Sequence, residues 1–532
     1  MLDSNEIIVR VNEGQIRGIK QTSTVFQSQY YSFYGIPYAQ PPLKDLRFKD
    51  PVKASPWKRI RNAMTPRDPC LQWSPIHCRM IGSEDCLYVN VYTPELPQEN
   101  HSPKAVLVFL HPGSFMWGSP NPEDHGSPNF LMHHDVVYVT VGFRLNIFGF
   151  LNLNMEECSG NQGLKDAVMA FQWIRENIHA FNGDPNNITA IGSSSGALMI
   201  HMLLLSPSVT GLFHKAILMG FYAFSCVTPR VEDHTERALK FAQELGFKGD
   251  DPRKMLRFLK KMPAAQLSCS VSNFQVKLYK DIIKSYIGGP FNESLDSTIM
   301  PVNPRQLLST MERIPIIFGI CDKEAICGFI NSEEETIDRN LHAAYRIDPW
   351  SWPHNLTDQE LDEMNKQIYS FYLENLPEKT TAYCRKIDII TDAVFSEVYD
   401  TLIDPISQSY PVYVYKFQYP GEISLFRRAV LQGLSEPVNG TYHSDDVSYW
   451  AHQITPDRKM TLQVVNNFTT LFCTFAKTGN PNNENIEVIW KPSTSENPCY
   501  LDIDEKLTMV DGKLNGERSK FWDNLKAKFK HD

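Results

Sequence analysis

A serine framed by glycines, an acid beyond an apolar run and a histidine in a turn-rich loop are the residues of this chain whose types and spacing could do chemistry. The serine is Ser194 in Gly192-Ser193-Ser194-Ser195-Gly196, which follows the apolar residues 188–191 and precedes Ala197-Leu198-Met199. A G-x-S-x-G pattern at a strand-to-helix junction puts its serine on a sharp turn, where glycines avoid clashes and the hydroxyl stands at the N-terminus of the new helix. By itself the pattern equally describes a Ser/Gly loop that caps a helix. A serine hydroxyl is a weak nucleophile, so it needs a base within reach and a third group that orients that base. Asp322 and Glu324, just beyond Phe318-Gly319-Ile320, are the candidate acids, and His443 in Gly440-Thr441-Tyr442-His443-Ser444-Asp445-Asp446 is the candidate base. Serine, acid, histidine is an order in which such groups recur, and strand ends of open α/β sheets are where they converge.

These residues need elements to hold them. Residues 7–20 alternate about Glu13-Gly14 and predict a β-hairpin, and residues 30–38 predict a further extended run, so the chain should open with antiparallel edge strands. Gly35-Ile36-Pro37-Tyr38-Ala39-Gln40-Pro41-Pro42 cannot be helical, and Arg47 and Glu84 are candidate ion-pair partners in the loops that follow. Residues 105–110 and 136–141 are apolar on both faces, as buried parallel strands are. Leu164, Val168, Phe171, Trp173, Ile174 and Ile178 recur at helical spacing over 163–180, and Asn182-Gly183-Asp184-Pro185 ends that helix. Strands are predicted at 213–219, 315–319 and 411–417, helical blocks at 232–309 and 357–402, and a helix at 460–475. Short strands and an amphipathic helix near 518–529 close the chain. This alternation predicts the α/β class with a mostly parallel, doubly wound sheet. No repeat or low-complexity linker interrupts residues 1–532, which are expected to form one catalytic-type domain.

Composition narrows the partners. A formal net charge of −9 leaves no basic stripe for nucleic acid or an anionic membrane surface. No stretch of about eighteen apolar residues predicts a transmembrane helix. The first residues lack a basic leader with an apolar core, so a cytoplasmic location is expected. Six Asn-x-Ser/Thr sequons, at Asn100, Asn187, Asn292, Asn355, Asn439 and Asn467, point the other way, to secretion as the alternative. The 11 cysteines are scattered with no C-x-x-C pair, so neither a metal nor a cofactor is expected.

Gly35-Ile36-Pro37-Tyr38-Ala39, Ser83-Glu84-Asp85-Cys86-Leu87-Tyr88-Val89-Asn90-Val91, Gly163-Leu164-Lys165-Asp166, Gly183-Asp184-Pro185, the serine elbow and Thr478-Gly479-Asn480-Pro481 together resemble the carboxylesterase/cholinesterase family of α/β-hydrolases, most of all the intracellular α-esterases of insects. The resemblance covers nearly the whole chain. It implies an α/β-hydrolase fold whose helical insertions wall an active-site gorge. It also implies a serine carboxylesterase in which Ser194 attacks an ester carbonyl, His443 serves as base and then acid, and Glu324 orients His443. Glu324 is preferred to Asp322 because it stands five residues after the strand-end Gly319. The implied oxyanion donors are the N–H groups of Gly113, Ser114 and Ser195. Implied partners are xenobiotic or lipid-derived esters and organophosphate-type inhibitors.

The departures from the family pattern are specific. His111-Pro112-Gly113-Ser114-Phe115 stands where His-Gly-Gly-Gly-Phe is usual, and Ser193 where glutamate or histidine is common. Met219-Gly220-Phe221 replaces a serine-glycine pair, and Asn182 and Ala325 replace glycines. They keep two other readings open: a slow, sequestering esterase, or a non-catalytic cholinesterase-like adhesion protein. Cys86 matches the second half of a disulfide in the family's secreted members, with Cys70 rather than Cys78 as its first half. In a reducing cytosol all three are expected to be thiols.

Overall fold

The chain opens with the hairpin its alternation predicts: β1 (Glu6–Val11) and β2 (Gly14–Thr22) pair antiparallel, with Val11 opposite Gly14. The computed structural model describes residues 5–529 except 76, 224–233, 279–298, 303, 330–337, 339–340, 342–355, 375–379, 398, 400–402, 404–405, 425–432, 435 and 452–456. Parts of both predicted helical blocks, and the sequons at Asn292 and Asn355, therefore lie outside the described residues.

β3 (Gln29–Pro37) and β4 (Tyr88–Thr93) continue the antiparallel ladder. β5 (Lys104–Leu110) and β6 (Val137–Val141) are parallel neighbours, as their two-faced apolar character requires. β7 (Gly183–Ser193), β8 (Lys215–Met219), β9 (Ile316–Cys321), β10 (Val412–Phe417) and β11 (Cys499–Ile503) add in parallel, and β12 (Leu507–Asp511) closes the edge antiparallel. The spatial order is β1-β2-β3-β4-β6-β5-β7-β8-β9-β10-β11-β12, and the short strand Arg61–Asn62 beside β2 brings the sheet to 13 strands. The parallel order reverses at β5, whose neighbours are the next strand in sequence on one side and β7 on the other. Ligands of open α/β sheets bind at such a reversal, beyond the carboxyl ends of the strands.

Both faces of the sheet are covered. Val106, Val108 and Leu110 of β5 belong to one apolar layer, while Leu107 and Phe109 belong to the other. Helices α1 (Gln162–Asn177) and α2 (Ser195–Leu205) fill the first layer. The middle of the chain supplies α3 (His234–Glu244), α4 (Pro252–Lys261) and α5 (Ala264–Leu278). α6 (Asp358–Leu373), started by a Thr357/Glu360 capping box, and α7 (Ala382–Thr391) follow. α8 (Lys459–Thr478) lays Val464, Phe468, Phe472 and Phe475 on the second layer, and α9 (Glu517–Lys528) ends the chain.

Two boundaries differ from the sequence reading. The helix expected over 163–180 stops at Asn177 and tightens into the 3₁₀ turn Ile178–Phe181, which Asn182 ends at φ 64°. Asparagine tolerates this left-handed backbone better than most side chains, which accounts for its standing where the family usually has glycine. The strand expected from 213 begins at Lys215, because His214 donates its N–H to Ile188 outside the regular ladder while Phe213 is buried as a core side chain.

The Gly163-Leu164-Lys165-Asp166 stretch has a structural purpose. Asp166, fully buried, accepts from Arg144 Nε at 2.8 Å, from Arg144 Nη2 at 2.7 Å and from the Arg144 backbone N–H at 3.0 Å. This pins the segment after β6 to the first turns of α1. Asp166→Ala would strand a guanidinium in the core, and urea denaturation should show a loss of about 3–5 kcal/mol in stability.

Candidate active site

β7 ends at Ser193 and α2 begins at Ser195, leaving Ser194 at the corner with φ 52° and ψ −123°. A side chain held there is strained, and the surroundings have to impose it. A Cβ on Gly192 would lie 2.5 Å from the carbonyl of Gly196, and one on Gly196 would lie 2.1 Å from the carbonyl oxygen of Leu110 at the end of β5. Strand and helix thus approach more closely than any side chain at 192 or 196 allows. Ser194 N–H donates to Met219 at 2.9 Å, fastening the corner to β8.

The Ser194 side chain makes no cap hydrogen bond to α2; its Oγ lies 2.7 Å from His443 Nε2. His443 Nδ1 lies 2.7 Å from Glu324 Oε2. A carboxylate only accepts, so Nδ1 carries the ring hydrogen and Nε2 offers its lone pair to the serine hydroxyl. Glu324 opens the 3₁₀ turn Glu324–Phe329 after β9, is fully buried, and accepts from the Cys321 N–H at 2.7 Å through its second oxygen. Residues 249 and 119 positions apart from His443 are thereby brought together at the ends of β7 and β9.

Asp322, the competing acid, faces elsewhere. It pairs with Lys416 at 2.9 Å. Burial pushes its carboxyl up, but Lys416 and Lys323 outweigh that and hold it below the ordinary range. Gly220, at φ 75°, shows why the residue after β8 has no side chain: a Cβ there would stand 3.2 Å from His443 Cε1 and 3.3 Å from Glu324 Oε1. Phe221 and Phe395 place their rings 6.0 and 5.3 Å from the His443 ring, forming an apolar wall. Phe395 is carried by the π-helical turn Asp392–Ser396. A π-turn has no reliable signature in a single sequence, so the sequence reading did not single out Phe395.

The loop after β5 departs furthest from the family pattern. Gly113, Ser114 and Phe115 have φ of 131°, 54° and 61°, so two residues with side chains follow one another in left-handed backbone. The loop is held from several sides. His111 Nδ1 donates to the Pro112 carbonyl at 2.9 Å and the ring stacks on Phe143 at 4.3 Å. Burial lowers the His111 pKa to about 4, so it is a neutral packing residue. Gln72 clamps Gly118 from both ends, accepting its N–H at 2.6 Å and donating to its carbonyl at 2.8 Å. The Gln72 clamp joins loops distant in sequence and left no local motif to find it by.

The expectation that Cys70 and Cys86 are thiols is corrected: they form a disulfide, with Cα atoms 4.9 Å apart, while Cys78 is free and exposed. The bridge closes the loop that carries Gln72 and lies beside the Arg47–Glu84 pair, which forms as expected at 2.6 Å. Among the described residues no group of three His, Cys, Asp or Glu side chains could hold a metal ion, and no helix is long and apolar enough to cross a membrane.

Comparison with known proteins shows the family of the chain. Residues 5–522 match the family model described as the carboxylesterase family. Esterase FE4 of Myzus persicae is 31% identical over 528 residues, covering 95% of this chain and 90% of its own length. The solved juvenile hormone esterase of Manduca sexta, with OTFP covalently attached, superimposes with a TM-score of 0.82 at 28% identity, covering 98% of this chain and 99% of its own. Para-nitrobenzyl esterase of Bacillus subtilis is 28% identical over 526 residues, covering 97% of this chain and 98% of its own length.

Behind the histidine lies a second buried acid. Asp446 Oδ2 accepts from Tyr415 Oη at 2.6 Å, and burial, with the Glu324 carboxylate adding to it, pushes its pKa from 3.8 to about 7. Between these values the unfolded chain has released this proton and the folded chain still holds it, so the acid makes stability fall as pH rises. Asp446→Asn should flatten that decline. Melting temperatures of both proteins, recorded from the carboxylate range to neutrality, check it, and a wild-type slope retained by the variant would refute it.

Proposed function

The chain belongs to the carboxylesterase family and is a carboxylic ester hydrolase, and on that premise we propose that it cleaves esters through an acyl-enzyme on Ser194. The observation that carries this reading is the unbroken chain of short hydrogen bonds from Ser194 Oγ to His443 to Glu324. Ser194 Oγ attacks the ester carbonyl carbon while its proton passes to His443 Nε2. The carbonyl's electron pair moves onto oxygen. As the tetrahedral species collapses, the bond to the alcohol oxygen breaks and His443 hands its proton to that oxygen. Water then repeats the sequence on the acyl-serine, with His443 as base again and Ser194 as leaving group. Glu324 accepts from Nδ1 throughout and stabilises the imidazolium, while its bond from Cys321 N–H keeps it oriented.

The negative oxygen is held by the N–H groups of Gly113, Ser114 and Ser195 in this reading. Ser195 is the first residue of α2, where backbone N–H groups lack intrahelical partners and the helix dipole favours negative charge. Residues 1–532 act as one catalytic unit, which the single sheet running from β1 to β12 supports. The apolar wall of Phe221 and Phe395 suits xenobiotic or lipid-derived esters. Organophosphate-type inhibitors would phosphorylate the same serine.

Ser114 at φ 54° favours a second reading, that of a slow, sequestering esterase whose acyl-serine is hydrolysed sluggishly. One misplaced oxyanion donor costs about 10²–10³ in turnover. Adhesion without catalysis is the weaker alternative, since all three side chains are present and in contact. The Cys70–Cys86 bridge favours an oxidising compartment over the cytosol.

A fluorophosphonate probe should label Ser194 stoichiometrically, and Ser194→Ala should lose both the label and roughly 10⁶ of kcat on a short aryl ester. A true catalyst continues after the first turnover, whereas a sequestering protein gives an equimolar burst and then stops. Ser114→Gly, which keeps the N–H and relaxes the backbone, should raise stability by about 1 kcal/mol and speed the steady state. If the variant is slower than wild type, the oxyanion assignment at Ser114 is wrong. Thiol labelling of unreduced native protein should modify Cys78 and spare Cys70 and Cys86, and reducing their bridge should cost about 3 kcal/mol of stability.

A further inference from the structure

We infer that Ser193 and Ser444 form a clasp that holds the nucleophile and the base at reacting distance, a role that rests on reading Ser194 and His443 in those functions. Ser193 Oγ and Ser444 Oγ are 2.9 Å apart although the residues are 251 positions apart in sequence. Each serine is the chain neighbour of a reacting group: Ser193 precedes Ser194, and Ser444 follows His443. The two contacts form successive rungs between the end of β7 and the histidine loop, one between Ser194 and His443 at 2.7 Å and one between the flanking serines.

Three observations make the second rung more than incidental. Both hydroxyls are buried, Ser193 at 0% and Ser444 at 7% exposure, so losing either partner leaves the other without compensation from water. Ser444 sits at φ 65°, a conformation that glycine adopts without strain and serine does not, so the residue kept there retains a hydroxyl at a conformational cost. Several other tethers of the histidine loop lead to different elements. Thr441 bonds to Phe417 and Asp322, the Lys323 N–H bonds to the Thr441 carbonyl, and Asp446 accepts from Tyr415. These four bonds fix the loop to the ends of β9 and β10 and the segments beyond them rather than to β7. The Ser193–Ser444 bond reaches β7.

As Ser194 Oγ bonds to carbon and its proton moves to Nε2, the direct serine–histidine hydrogen bond is remade in the opposite sense. The clasp keeps the ring in place during that change. Ser193 and Ser444 touch no reacting atom, and they are positioning residues.

The test uses the full chain with Ser193→Ala, Ser444→Gly and the double variant, assayed on p-nitrophenyl acetate. Each single variant should lower kcat roughly 10-fold with KM unchanged, because misplacement of the base slows chemistry without altering binding. The double variant should be no slower than either single one, since both remove the same bond. In Ser444→Gly the relief of the left-handed serine offsets the loss of the buried bond, so the melting temperature should stay close to wild type while kcat falls, and activity and stability move apart. Undiminished kcat in Ser444→Gly, a multiplicative loss in the double variant, or a kcat loss that tracks a fall in melting temperature each overturns the clasp. Ser194→Ala assayed alongside separates the two levels. If it still turns over, the nucleophile assignment fails and the clasp with it; if it is dead while Ser444→Gly runs at full speed, the clasp alone fails.

Discussion

The close approach between the start of α2 and the ends of β5 and β7 is the constraint on which the rest depends. With no room for a Cβ at Gly192 or Gly196, the chain turns from strand to helix within one residue, and that residue takes φ 52°. The strain is local and the restraint is distributed. β5 lies against the helix, β8 accepts the Ser194 N–H, and Gly220 leaves the space into which His443 and Glu324 fit. A looser packing at any of these contacts would let Ser194 relax into ordinary helix or strand backbone and withdraw its hydroxyl from the histidine.

Electrostatics around that corner is governed by burial. Glu324 is fully enclosed, and it is compensated by His443 Nδ1–H on one oxygen and the Cys321 N–H on the other. A second ionised carboxylate at Asp446 would face the same low-polarity surroundings with less compensation. Burial and the nearby Glu324 charge keep it protonated well beyond the ordinary carboxylate range. Asp322, only two residues from Glu324 in sequence, has two lysines to pair with and is held ionised. Asp322 and Asp446 thus differ in state because their partners differ, and of the three acids in this neighbourhood it is Glu324 that touches the imidazole.

The loop after β5 shows how a departure from a family pattern can be absorbed. Serine and phenylalanine occupy left-handed backbone at 114 and 115, and the cost is offset by contacts to distant segments: the Phe143 ring stacked on His111, the Gln72 clamp on Gly118, and the disulfide that closes the Gln72 loop. Asn182 and Ser444 repeat the theme, each holding a side chain where glycine would be unstrained. Asn182 only ends a turn, whereas Ser444 reaches a partner.

Local chemistry and periodicity in the sequence determined much of this protein: the hairpin at its start, the two-faced apolar strands, the glycine-framed serine, and the candidate acid and histidine. Those features follow from steric rules and side-chain alternation acting over a few residues, so they are legible without a structure. The choice between Asp322 and Glu324 needed either the family pattern or the geometry, since both stand beyond the same strand end. Tertiary structure alone decided that Lys416 claims Asp322, that Gln72 braces Gly118, that a π-turn aims Phe395 at His443, and that Ser193 meets Ser444. It also joined Cys70 to Cys86, against the expectation of thiols. Each of these is a contact between segments that are distant in sequence, or a backbone irregularity such as the π-turn. Such features depend on how whole strands and loops are placed against one another, and no short stretch of sequence carries that information.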